Sequence, residues 1–102
     1  MTTYDFQLTY SISPYGEDKS TQARTLLREE IEGWNTVNGI ETTLVGKIKF
    51  SCSANENKRE KAQEIIEDKI RTLFNNKDVL DHSYSRFSLM VDGLGEHITF
   101  IL

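Results

Sequence analysis

The chain has 102 residues, of which 37% are hydrophobic and 27% are charged, which is usual for one soluble domain and too short for two. Twelve Lys and Arg against sixteen Asp and Glu give a formal charge of −4, so no overall positive field attracts nucleic acid or anionic lipid. The single Cys52 excludes an internal disulfide, and no run approaches the roughly 20 apolar residues of a membrane helix. We therefore expect one domain over residues 1–102, located in the cytoplasm.

The first strand and the first helix are indicated by two different periods of apolar residues. Residues 4–12 alternate apolar and polar side chains, which predicts a half-buried strand. A turn follows, in which Asp18 or Ser20 can cap the next helix. Apolar residues then recur at helical spacing, which predicts a helix over residues 20–33 that ends at Gly33.

The centre of the chain predicts a β-hairpin. Asn38-Gly39 favours a type I′ turn, in which both central residues need a positive φ. The turn joins a short strand over residues 34–37 to a long strand over residues 40–52. Because the apolar alternation of the long strand continues through Gly46, we interpret this glycine as a weak point or bulge within one strand.

The C-terminal half predicts a second helix and a second hairpin. Asn57 and Glu60 have the spacing of a capping box, and apolar residues at helical spacing follow, which predicts a helix over residues 57–74. In the loop after this helix, Val79 is expected to cover an edge of the core. Two alternating strands then flank a turn at residues 92–95, and together they form a C-terminal hairpin.

Charged residues cover one side of both predicted helices. In the second helix they alternate in sign at helical spacing, which is typical of a solvated face. They are Lys58, Arg59, Lys61, Glu64, Glu67, Asp68, Lys69 and Arg71. Arg24 occupies the corresponding side of the first helix and has the same interpretation.

This order of elements, β-α-β-β-α-β with a terminal strand, predicts an α+β fold. The expected architecture is a ferredoxin-like two-layer sandwich with two helices on one face of an antiparallel sheet. Each strand has one apolar face, which leaves the other face of the sheet open. An alternative keeps residues 34–40 as a loop and leaves a four-stranded sheet in a different order.

The residues that could carry chemistry do not form a recognised motif. His82 lies near Asp78 and Asp81, but this stretch is better interpreted as a solvated loop, and we expect no metal and no cofactor. Cys52 has the parity of the buried side chains and is interpreted as a structural thiol. His97 is expected at the surface. Glycine-rich phosphate-binding motifs are absent from the sequence.

The open face of the sheet is the most informative surface. The aromatic residues that an RNA-recognition domain would place on the open face, to stack bases, instead face the helices in this chain. This difference disfavours an RNA-recognition domain. Apolar side chains remain on it, which favours a homodimer. The predicted interface residues are Val45, Tyr84, Arg86, Met90, His97 and Ile101.

Three segments resemble two related groups of small ferredoxin-like proteins. They are YDFQLTYSI, ETTLVGKIKFSCSA before a helix, and YSRFSLMVDGLGEHITF. One group is the CRISPR-associated adaptation nucleases, and the other is the antitoxin endoribonucleases that cleave the messenger RNA of their toxin. The nucleases end their first strand in a Tyr-Asp pair whose carboxylate binds metal, whereas this chain has Tyr10-Ser11. The resemblance therefore implies the fold and a defence setting, without a metal-dependent activity.

We expect a non-catalytic binding or regulatory module in a toxin–antitoxin or phage-defence setting, which binds a protein or RNA partner and no small-molecule cofactor. One alternative is a metal-independent endoribonuclease that acts on single-stranded RNA around a dimer groove. Its candidate RNA-binding residues are Lys47, Lys49, Arg86 and His97. A second alternative is a phage-encoded inhibitor of a host complex, a class that leaves no sequence motif.

Overall fold

The structure is a computed structural model that describes residues 2–14, 16, 18–53 and 56–102, with only the backbone at positions 14, 41 and 82. It consists of strands and helices in the predicted order. Their bounds are β1 Thr2–Pro14, α1 Ser20–Glu29, β2 Asn35–Val37, β3 Ile40–Phe50, α2 Lys58–Asn76, β4 Ser83–Val91 and β5 Ile98–Ile101. A short 3₁₀ helix, Leu80–His82, precedes β4.

The strands form one five-stranded antiparallel sheet in the order β2-β3-β1-β4-β5. The first strand, β1, is central: Leu8 lies opposite Leu44 of β3 on one side and Leu89 of β4 on the other. The short strand β2 pairs with β3. The alternative in which residues 34–40 form a loop is therefore wrong.

One hydrophobic core lies between the sheet and the two helices. Along β4, buried and exposed residues alternate, as the sequence predicts. Of the apolar residues at helical spacing, Leu27, Ile66 and Ile70 are fully buried, and Ile31 is partly buried against the same core. All the strand residues in this core have the parity of the helix-facing side, so the opposite face of the sheet is open.

The first helix is shorter than predicted, because Trp34 belongs to the sheet side of the core. Helix α1 ends at Glu29, and a turn with Gly33 at φ +83° leads into β2. The indole of Trp34 packs edge-on against the ring of Phe6, with 5.2 Å between the ring centroids. A helix continued to residue 33 would not lead the chain into this contact.

Asp18, one of the two predicted capping residues, binds the start of α1 from two residues before the helix. Ser20 is the first helical residue, and its hydroxyl and amide both donate to Oδ1 of Asp18, at 2.7 and 3.1 Å. These two bonds, the hydroxyl's first, hold the pKa of Asp18 below its ordinary value of 3.8. Asp18 therefore anchors the first turn of the helix.

The predicted hairpin between β2 and β3 exists, but its turn is not type I′. Gly39 has φ +82°, whereas Asn38 does not have a positive φ; among the described non-glycine residues only Asp78 has one. The irregularity of this region lies between Thr36 and Val37, where the register shifts. Strand β3 itself passes through Gly46 with its pairing to β1 unbroken, so the bulge interpretation of Gly46 is wrong.

The second helix begins as predicted. Asn57 is its N-cap, and its side chain accepts from the amides of Arg59 and Glu60 at 2.9 and 3.3 Å. Just before it, the Ser53 amide donates to the Glu56 carboxylate at 3.1 Å, which lowers the pKa of Glu56 below its ordinary value of 4.5.

The second helix runs two residues beyond its predicted end and closes in a Schellman motif. The amide of Val79 donates to the carbonyl of Phe74 at 2.9 Å, and the amide of Asp78 donates to the carbonyl of Asn75 at 3.2 Å. Asp78 takes the left-handed conformation, φ +56°, that glycine usually occupies in this motif. Val79 and Phe74 are both fully buried, so the loop covers the core edge as expected.

Two arginines that the sequence assigns to solvated helix faces instead bind backbone carbonyls. Arg59 donates from Nη1 to the carbonyls of Leu94 and Glu96, both at 2.6 Å, and from Nη2 to that of His97 at 3.5 Å. Arg24 donates to the carbonyl of Ile12 at 2.9 Å, near the end of β1 and beyond its last described pair with β3. Arg59 thus fastens the β4–β5 turn to the start of α2.

Candidate functional site

The open face is the solvent side of the sheet, opposite the helices. Its side chains fall into rows across the strands, because the register places them directly opposite one another. The rows are Lys47–Asp5; Val45–Gln7–Met90; Thr43–Thr9–Ser88–Thr99; Ser11–Arg86–Ile101; and Ser13–Tyr84. The face therefore has two ends with different chemistry.

One end carries charges of both signs. Lys47 and Asp5 form an ion pair at 2.6 Å, with both side chains mostly exposed. The amide of Asp92 donates to the carbonyl of Asp5 at 2.9 Å, which brings a second carboxyl-bearing residue to this end. Val45 and Met90 line the same shallow cavity. This end therefore has both apolar and charged side chains, and Asp5 neutralises the charge of Lys47.

The other end is centred on Arg86. Its guanidinium carbon lies 5.4 Å from the centroid of the Tyr84 ring, in a cation–π arrangement. Ser11 lies opposite Arg86, and Ser13 lies opposite Tyr84. These four residues line a small cavity of about 280 Å³. A second cavity shares Ser11 and Arg86 and extends toward Ile101.

The predicted interface residues lie on or beside the open face. Its large apolar side chains are unusually exposed: 40% for Tyr84, 52% for Met90 and 55% for Ile101. All three belong to β4 and β5. Val45, on β3, is less exposed and is separated from Met90 by Gln7. The exposed apolar surface is thus displaced toward one edge of the sheet.

The four candidate RNA-binding residues are not brought together. Lys47 faces Asp5 and Arg86 faces Ser11, six residues further along β1, which corresponds to about 20 Å along the strand. Lys49 lies still further from Arg86, opposite Thr3. These residues form no single cluster within one chain.

His97 is the fourth member of that set. It is exposed and directly precedes β5, and its carbonyl accepts from Arg59. Its neighbour Ile98 pairs with Leu89, at the opposite end of β5 from the Arg86–Ile101 pair. His97 therefore lies closer to Met90 than to the cavity around Arg86.

The remaining candidates from the sequence have structural surroundings. Strand β3 ends at Phe50, and Cys52 lies beyond it, half-buried against the core. The side chain of His82 lies outside the described residues. Across the described chain, no three His, Cys, Asp or Glu side chains are grouped as a metal site requires. Neither described helix is long and apolar enough to cross a membrane.

The patch around Arg86 is the feature that the sequence does not reveal. Strand parity places Ser11, Ser13, Tyr84 and Arg86 on the same face, but parity does not specify which residues are neighbours. Only the β1–β4 register makes them adjacent. Comparison of the chain with known protein families, curated proteins and solved structures finds no match. This surface is therefore the feature of the molecule that bears most directly on function.

Proposed function

We propose that the chain is a small, non-catalytic binding module that works as a homodimer through β5 and the adjoining part of the open face. The observation that supports this most directly is the exposure of Met90 and Ile101, each more than half accessible to solvent. Burial of apolar surface favours association by about 25 cal/mol for each Å² removed from water, before the entropic cost of association is subtracted. A second copy of the chain is the proposed occupant.

The free edge of β5 supports a second copy as that occupant. The amides of Ser85 and Leu102 each donate to the carbonyl of the other residue. Because alternate residues of a strand bond to the same neighbour, the backbone amides and carbonyls of Thr99 and Ile101 point away from β4, toward the free edge. The strand reads Ile-Thr-Phe-Ile, without the Lys or Pro that commonly protects an edge. Two such edges can pair antiparallel about a two-fold axis.

The opposite edge of the sheet is less suited to pairing. Strand β2 has three residues, and its register with β3 shifts between Thr36 and Val37. Short and irregular edges resist the addition of another strand. The asymmetry between the two edges favours one closed dimer over an open chain of copies.

We also propose that the fold is the ferredoxin-like arrangement with one strand added. The order β2-β3-β1-β4, with each helix connecting strands that have one other strand between them, supports this proposal, and β5 extends the sheet beyond β4. The resemblance of the three sequence segments supports a cytoplasmic toxin–antitoxin or phage-defence setting for the module.

Sedimentation at tens of micromolar tests the dimer. We expect the wild type to sediment as a dimer, and Ile101→Glu or Met90→Glu to shift it toward monomer with an unchanged circular dichroism spectrum. Ile40→Glu is the matched control, because Ile40 is 51% exposed but lies at the β2–β3 hairpin; it should remain dimeric. A monomeric wild type would contradict the proposal.

A further inference from the structure

The open face has one cation surrounded by hydroxyl groups. In the register of β1, β4 and β5, Arg86 lies between Ser11 and Ile101, and the two adjacent rows hold hydroxyl-bearing residues. Those residues are Thr9, Ser13, Tyr84, Ser88 and Thr99. Neighbouring rows on one face of a sheet are about 7 Å apart, because side chains repeat every second residue. Several hydroxyls therefore lie within reach of an anion bound to the guanidinium.

The ion-pair partners of Arg86 and Lys47 differ among the described residues. No carboxylate of the described residues lies within ion-pair distance of Arg86, whereas Lys47, at the other end of the face, is paired with Asp5. On β1, β4 and β5, the described members of the rows around Arg86 include no acidic residue. A negatively charged ligand would therefore be attracted to the Arg86 guanidinium, despite the net charge of −4.

The guanidinium is also held in place. The cation–π contact with Tyr84, at 5.4 Å from the ring centroid, favours one position of the long Arg86 side chain. This preference reduces the conformational entropy that is lost when a ligand binds. A cation–π contact uses no oxygen or nitrogen acceptor, so N–H groups of the guanidinium remain available to donate. These groups match the oxygen pair of a phosphate in a two-point hydrogen bond.

We propose that Ser11, Ser13, Tyr84 and Arg86 form a binding site for a phosphate group. The cavity lined by these four residues is small, and three of the four carry a hydroxyl group. This arrangement suits a tetrahedral anion with several oxygens better than a planar carboxylate with two. All four residues come from one chain, so the site does not require the dimer.

The test is a titration of the isotope-labelled protein, followed by NMR at constant ionic strength. One arm uses inorganic phosphate, another uses uridine monophosphate, and acetate serves as the planar control. We expect saturable shifts confined to the amides near Ser11, Ser13 and Arg86 with either phosphate compound, and weaker binding of acetate. If uridine monophosphate binds more tightly than inorganic phosphate, and Tyr84→Leu removes the difference, a base stacks on the tyrosine. Equal affinity for the two compounds would show that the site recognises the phosphate group alone.

Arg86→Gln should weaken phosphate binding about tenfold or more, because a hydrogen bond to a charged group is lost together with the charge. Arg86→Lys should bind with intermediate affinity, since the ammonium keeps the charge but not the two-point geometry. The matched control is Arg71→Gln on α2, where the arginine lies beside Glu67 and Asp68. Shifts that do not saturate, or that persist in Arg86→Gln, would overturn the site.

Discussion

The glycine in the middle of β3 is explained by a neighbouring ring. A Cβ at Gly46 would lie 2.8 and 2.9 Å from two ring carbons of Phe6 and 3.1 Å from the carbonyl oxygen of Gly33. The missing side chain therefore provides the space in which Phe6 meets Trp34. The sequence shows that a glycine occupies a helix-facing position of the strand, but it does not show whether the backbone or a neighbouring side chain requires it.

Gly46→Ala is expected to lower the free energy of unfolding by about 1 to 3 kcal/mol, the usual cost of overpacking a core. Urea unfolding measures this cost. In a Phe6→Leu background the same substitution should cost less, because the ring carbons that the new Cβ would approach are gone. An equal cost in both backgrounds would assign the restriction to the Gly33 carbonyl instead of the ring.

At the scale of elements, regular periodicity made most of the fold predictable. The two helices, the long strand and both hairpins follow from apolar residues repeating at helical or alternating spacing. Two of the errors lie where a single long-range contact determines the structure. Helix α1 ends early because Trp34 packs on Phe6, and Arg59 leaves the solvated face because the β4–β5 turn presents carbonyls to it. Local sequence carries no signal for either contact.

The C-terminus of α2 provides a test at this scale. Asp78 occupies the left-handed position of the Schellman motif, where glycine avoids the steric cost of a Cβ. Lys19 offsets part of that cost: its Nζ lies 3.0 Å from the Asp78 carbonyl oxygen and 3.2 Å from its carboxylate. The carboxylate bond is exposed and contributes only about 0 to 1 kcal/mol. The carbonyl bond does not depend on the side chain.

We therefore expect Asp78→Gly to be at least as stable as the wild type and Asp78→Ala to be less stable than Asp78→Gly by about 1 kcal/mol. Chemical denaturation of the three proteins in parallel measures the difference. Lys19→Ala should widen the stability advantage of Asp78→Gly over Asp78, since the ion pair that offsets part of the strain at Asp78 is then absent. Equal midpoints for the Gly and Ala variants would contradict a left-handed Asp78.

At the scale of the whole molecule, the sequence predicts which residues lie on the open face but not which of them are neighbours there. Parity correctly identifies the residues of β4 and β5 that point away from the helices. Distances across the face depend on register, which joins residues as remote in sequence as Ser11 and Arg86. Register places Arg86 among hydroxyls and Lys47 beside Asp5 at the other end. The predicted basic set is thereby divided into two separate environments.

This division leads to a prediction about RNA. General acid and base groups must lie within hydrogen-bond reach of the same reacting atoms, about 3 Å, whereas Lys47 and Arg86 lie about 20 Å apart along the strand direction. Labelled single-stranded RNA incubated with the protein in EDTA should therefore remain intact. Cleavage that disappears in His97→Ala or Lys49→Ala would contradict this expectation, because it would require a groove in which two copies combine their basic residues.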